Sequence, residues 1–127
     1  MTVYRIKRIY DPVEEQDGFR LLIDRLWPRG LSKEKAKIDF WAKDIAPSTA
    51  LRKWLHQGGS WPTFETRYLH ELESNQQLKA LTGLWNDHRR VTLLYAAHNK
   101  EYNHAIVLQR YLEGVNRKIF SHKSRSE

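Results

Sequence analysis

Two runs in this chain, FRLLID over 19–24 and VTLLYAA over 91–97, lack the polar alternation of a half-buried strand. Strands of that kind belong inside a sheet covered on both faces, and such sheets are mostly parallel with helices packed against them. A third run, VYRIKRI over 3–9, does alternate, with Tyr4 and Ile6 on one face and Arg5 and Lys7 on the other. It reads as an edge strand. The link from it to the second strand, YDPVEEQDG, is short for a parallel crossover, so the relative direction of these two strands is left open.

Between the two apolar runs the spacing is helical. Ser32 can cap one short helix, and IDFWAKDIAPS (38–48) is an aromatic connector. Three helices are predicted next: Ser48 capping TALRKWLHQ, Ser60 capping a helix with Pro62 in its first turn, and a third marked by Leu78, Leu81, Leu84 and Trp85. The chain ends in a helix striped by Ala105, Leu108 and Leu112, with Gly114 at its expected stop. The fold class is therefore α/β: a small Rossmann-like three-layer domain with a mostly parallel sheet and a helical insertion in the middle. Residues 1–116 form the single domain, and 117–127 a basic, flexible tail.

The 127 residues suit one domain and include no cysteine, so disulfide and thiol chemistry are excluded. Neither a signal peptide nor a membrane span is expected, and the default location is cytoplasmic, with no membrane partner. A formal net charge of +7 makes anionic partners plausible. The charge is spread over the start, the Lys33–Lys35–Lys37 segment and the tail, which weakens the case for nucleic acid.

If 19–24 and 91–97 are parallel neighbours, their C-terminal ends share the edge at which open α/β sheets bind ligands. The first end delivers Asp24, Arg25, Trp27 and Arg29, and the second His98, Asn103 and His104. Arginine forks grip phosphate or carboxylate, and Pro28 with Gly30 makes a stiff turn that can aim Arg29. Asn103 and His104 fall in the first helical turn, where free N–H groups and the helix dipole favour an anion and a neutral imidazole able to act as base or nucleophile. Lys43, in WAKD, is a weaker candidate for the same crevice.

Structural roles compete with these. Asp24 and Arg25 can pair with each other or with backbone, Trp27 suits packing better than stacking on a ligand, His98 can brace its loop, and Asn103 or His104 can cap the helix. His98 and His104 lack the spacing of two ligands on one helix face, so no metal is assigned, and the cofactor is unknown. The strong nucleotide and hydrolase motifs are absent.

The segments DRLWPRGLSKEKA, WAKDIAPSTALRKW and LLYAAHNKEYNHAIVLQRYL, in that order, resemble the short YeaO-like branch of the domain-of-unknown-function 488 family over nearly the whole chain. The resemblance implies a cytoplasmic bacterial or archaeal α/β domain and supplies no activity. Longer relatives carry a Val-Asp-Val-Arg strand end and a Cys-His-Arg helix start. By that resemblance Asp24 and Arg25 match the strand end, Asn103 and His104 match Cys-His, and Ala105 replaces the arginine. With Asn103 in place of the thiol, cysteine nucleophile chemistry does not carry over.

The leading expectation is an anion-binding crevice for a phosphate- or nucleotide-like small molecule. If it is catalytic, the reaction is hydrolytic or transfer chemistry, with His104, His98 and Asp24 doing proton work and Arg25, Arg29, Asn103, Lys43 and Trp27 holding the ligand. The rivals are a nucleic-acid-binding module, which lacks an exposed base-reading helix, and a non-enzymatic interaction domain. Oligomeric state and enzymatic status are left open.

Overall fold

The computed structural model describes residues 2–125, with side chains through Gly114. Four strands, β1 (Val3–Arg8), β2 (Phe19–Leu22), β3 (Phe40–Trp41) and β4 (Arg90–Tyr95), form one sheet in the order β1-β4-β2-β3. Every pairing is parallel. The open question of strand direction is thus answered, and the short link is explained: β1 and β2 are not neighbours, because β4 lies between them. Residues 9–18 return the chain across the sheet with a single 3₁₀ turn at Glu15–Asp17 instead of a crossover helix.

Gly18 closes this link with φ +64°, and a Cβ there would strike the carbonyl of Arg90. The turn therefore requires glycine for both conformation and space. β3 lies in the segment read as a connector. Two residues are too few to show a period, and the strand exists through its pairing with Leu21 and Leu22.

The helices are α1 (Lys33–Ala36), α2 (Thr49–His56), α3 (Trp61–Ser74), α4 (Gln76–Leu81) and α5 (His104–Arg125). Ser32 and Ser48 cap as expected, accepting from Lys35 N–H and Leu51 N–H. Ser60 does not cap through its hydroxyl, which donates to Thr63 Oγ1 at 2.9 Å. The cap of α4 is Asn75, whose Oδ1 accepts from Gln77 and Leu78 N–H. Gly114 does not end the last helix: α5 continues through it to Arg125, and one helical glycine costs only about 1 kcal/mol relative to alanine. The tail expected over 117–127 lies outside the residues whose side chains are described.

The sheet is sandwiched. On one face Tyr4, Leu21, Ile23, Val91, Leu93 and Tyr95 pack against the apolar sides of α2 to α5, including Leu51, Phe64, Tyr68, Leu78 and Leu108. Trp85 is buried here, and its indole N–H donates to Tyr4 Oη at 3.2 Å. On the other face Leu22 and Leu94 meet Ile9 and Ala36, with Trp27, Leu31 and Trp41 around them, so α1 and the loops form the third layer.

That second face also holds charges the sequence did not reveal as a set. Asp17 is fully buried, and its carboxylate meets Lys7 Nζ at 2.9 Å and Arg20 Nη1 at 2.5 Å. Arg20 completes its bonding on the carbonyls of Lys37 and Ala36. Among the described residues no helix is long and apolar enough to cross a membrane.

Candidate functional site

The ends of β2 and β4 meet through Asp24. Ile23 still donates to Leu94 O at 3.0 Å, so the chain leaves the sheet only at Asp24. There the side chain turns across the edge: Oδ2 accepts from Ala96 N–H at 3.0 Å, while the Asp24 carbonyl accepts from Trp41 Nε1 at 2.7 Å. One residue thereby fastens β4 and β3 to the end of β2.

The second carboxylate oxygen faces His104, the first residue of α5. His104 Nε2 is 2.9 Å from Asp24 Oδ1 and 3.1 Å from Ile23 O. The ring N–H points at the Ile23 carbonyl, so the contact with Oδ1 is electrostatic, and that buried oxygen has no hydrogen bond of its own. Both neighbours of Nε2 are acceptors, which requires Nε2 to carry a hydrogen whether the ring is neutral or charged. Nδ1 is therefore the nitrogen left to gain or lose a proton. Tyr68 packs edge-on to the imidazole at 6.4 Å and donates its hydroxyl to Ile45 O at 2.7 Å. Burial, reinforced by the negative charges of Glu71 and Asp24, pushes the Tyr68 hydroxyl far up, so it stays a neutral donor.

The loop entering α5 is knitted by its own amides. Asn99 Oδ1 accepts from Glu101 and Tyr102 N–H, both at 2.9 Å. Asn103 is buried, its Oδ1 accepting from Ile106 N–H at 3.2 Å and its Nδ2 donating to Asn99 O at 3.0 Å. Its amide is thus engaged at both ends as a helix cap, which fixes where His104 starts.

The remaining candidates divide by what they touch. Arg25 donates from Nε to Pro47 O at 3.0 Å and from Nη2 to Ala46 O at 3.1 Å, which anchors the segment leading into α2 and commits two of its N–H groups. Trp27 packs edge-on against Trp41 and donates to Leu31 O at 2.6 Å, the packing role weighed above. Lys43 lies over the Trp41 ring at 5.2 Å. Arg29 and His98 are exposed, and among the described residues their side chains have no bonded partner. The Arg29 turn is held through its carbonyl, which accepts from Tyr10 Oη at 2.8 Å.

Arg8 is a contributor the sequence did not single out. It donates from Nε to Ala97 O at 2.9 Å and from Nη2 to Ala96 O at 3.1 Å, bracing the end of β4 just beyond the Asp24 bond. Its two acceptors lie at the end of β4, within reach because β1 pairs with β4 through Arg8 and Tyr95. Among the described residues no group of three or more histidine, aspartate or glutamate side chains is placed to hold a metal ion.

Comparison with known proteins bears on this edge. A family model described as the inactive DUF488-N3 subclade matches residues 3–125. The chain is similar to the Escherichia coli protein "Uncharacterized protein YeaO", 44% identical over 110 residues, covering 86% of this chain and 96% of that one. It is also similar to "Uncharacterized protein Rv3073c" of Mycobacterium tuberculosis and "Uncharacterized protein Mb3100c" of Mycobacterium bovis, each 37% identical over 117 residues, covering 89% of this chain and 96% of theirs. No solved structure matches.

Proposed function

This chain belongs to the DUF488 family, in the subclade described as inactive DUF488-N3, and on that premise we propose that its strand-end constellation binds a small anion without transforming it. The observation that carries the reading is the meeting of Asp24 and His104 at 2.9 Å at the start of α5. The carboxylate and the Ile23 carbonyl occupy the Nε2 side of the ring, which leaves Nδ1 as the imidazole nitrogen available to a ligand. A helix N-terminus and an exposed arginine suit the same charge sign.

The same geometry argues against turnover. By the resemblance to longer relatives Asn103 stands where they have a cysteine, and its buried amide is spent on Asn99 and Ile106. Arg25 is likewise spent on the 46–47 carbonyls. A base with no adjacent nucleophile, beside a committed arginine, is a recognition device. Phosphate or a phosphate-like group is the anion class that an imidazole donor at a helix N-terminus favours.

The test is a titration of the full chain with inorganic phosphate and with pyrophosphate, read from histidine ring resonances. Saturable shifts of His104 are expected with each anion. His104→Ala should weaken binding about tenfold or more, the scale of one charge-assisted bond. His104 resonances that ignore both anions at every pH would overturn the proposal, and rapid hydrolysis of pyrophosphate would overturn its non-catalytic part.

A further inference from the structure

At the opposite, N-terminal edge of the sheet, Glu15, Gln16 and Gly18 face His88, Arg89 and Arg90 across an open cleft of about 530 Å³, within the range of small-molecule sites. Its basic wall is fixed from several directions. Thr2 Oγ1 donates to His88 O at 2.8 Å and Asn86 O at 3.2 Å, and Val3 N–H donates to Arg89 O at 2.8 Å. Gly18 lies so close under Arg90 that no side chain fits between them, and the His88 ring packs on Phe19 at 4.8 Å.

The backbone there is rigid, yet the side chains it presents are unused. Arg89 and Arg90 are exposed, and among the described residues neither guanidinium is bonded to a carboxylate or carbonyl. Three other arginines are consumed by the fold: Arg8 holds the end of β4, Arg20 holds Asp17, and Arg25 holds the 46–47 carbonyls. Two unspent forks on a pinned platform suit the oxygens of a phosphate. Glu15 and Gln16 on the facing wall suit hydroxyl groups, and the Glu15 carboxylate opposes a polyanion that would fill the cleft with charge.

We infer that this cleft is a binding site for a small hydroxylated phosphate monoester of the sugar-phosphate kind, separate from the strand-end site. Arg89 and Arg90 take the phosphate, and Glu15 and Gln16 accept the hydroxylated body.

The experiment titrates the full chain with ribose 5-phosphate, inorganic phosphate, ribose and a short single-stranded oligonucleotide, following the Gly18 amide and the His88 ring by NMR. Ribose 5-phosphate should produce saturable shifts at both, phosphate weaker ones and ribose none. The double variant Arg89→Gln/Arg90→Gln should bind about 100-fold more weakly, one tenfold step per charge-assisted contact. Lys53→Gln/Lys100→Gln, which removes the same two charges from exposed positions on α2 and on the loop after β4 at the opposite edge of the sheet, should stay within about twofold, because a screened distant charge contributes little. Because both substituted side chains are exposed, the Arg89/Arg90 double variant should keep the parent unfolding midpoint. The inference is overturned if neither resonance responds to ribose 5-phosphate, if shifts appear only at His104, if phosphate alone binds as tightly, if Lys53→Gln/Lys100→Gln weakens binding as much as the Arg89/Arg90 double variant, or if the oligonucleotide binds more tightly than the sugar phosphate.

Discussion

Replacing Asp17 with alanine should be among the most damaging single changes available to this domain. The carboxylate is fully buried and receives Lys7 Nζ, Arg20 Nη1 and, at 3.0 Å, the Glu14 N–H. Truncation leaves Arg20, itself only 4% exposed, with its charge facing backbone carbonyls alone. Breaking a buried pair by removing one partner costs about 3–5 kcal/mol, chiefly because the other charge stays buried and uncompensated. Lys7 recovers part of its loss through Glu14 and Pro12 O, so the lower half of that range is expected. Urea unfolding followed by tryptophan fluorescence measures it, with Asp17→Asn, which keeps the shape, losing less. The pH dependence has a definite sign. Burial pushes the Asp17 carboxyl up, but the Glu14 N–H, Lys7 and Arg20 outweigh it and hold the group below the usual range. A carboxylate whose folded value is depressed contributes stability that is complete above the unfolded carboxylate range and is lost as pH falls towards the folded value. Wild type should therefore lose its advantage over Asp17→Asn on acidification. A loss below about 1 kcal/mol for Asp17→Ala, the size of a surface pair, or a gap that does not narrow with acid, would refute the argument.

Gly18→Ala should destabilise by about 2 kcal/mol or more, since it combines left-handed strain with a collision against Arg90, and the same unfolding assay reads it. Asn103→Ala should cost about 1 kcal/mol as a lost cap and should also weaken phosphate binding at His104, because the helix start shifts; calorimetry against the parent separates the two effects. Asp24→Asn, which keeps an acceptor for Ala96 N–H but removes the charged partner that orients His104, should weaken phosphate binding, and an unchanged affinity would remove Asp24 from the site.

Much of this architecture was legible from local pattern. The unalternating runs 19–24 and 91–97 announced buried sheet strands, found as β2 (Phe19–Leu22) and β4 (Arg90–Tyr95), and Ser48 announced α2, because burial period and capping chemistry are properties of neighbouring residues. The strand-end logic put Asp24 and His104 on one edge on the condition that the two runs are parallel neighbours, and the β2–β4 pairing meets that condition.

What a side chain meets at long range was decided only by the tertiary structure. The insertion of β4 between β1 and β2 made Arg8 a brace for Ala96 and Ala97, a role that nothing local to Arg8 indicates. The return of residues 9–18 over the second face buried Asp17 between Lys7 and Arg20, three residues that the sequence does not tie together. Arg25, expected to clamp an anion, found carbonyls 21 and 22 positions later because the chain before α2 passes beside it. Sequence period reports whether a position faces water or the interior, whereas the partner of a charge depends on which distant segment the folded chain carries past it.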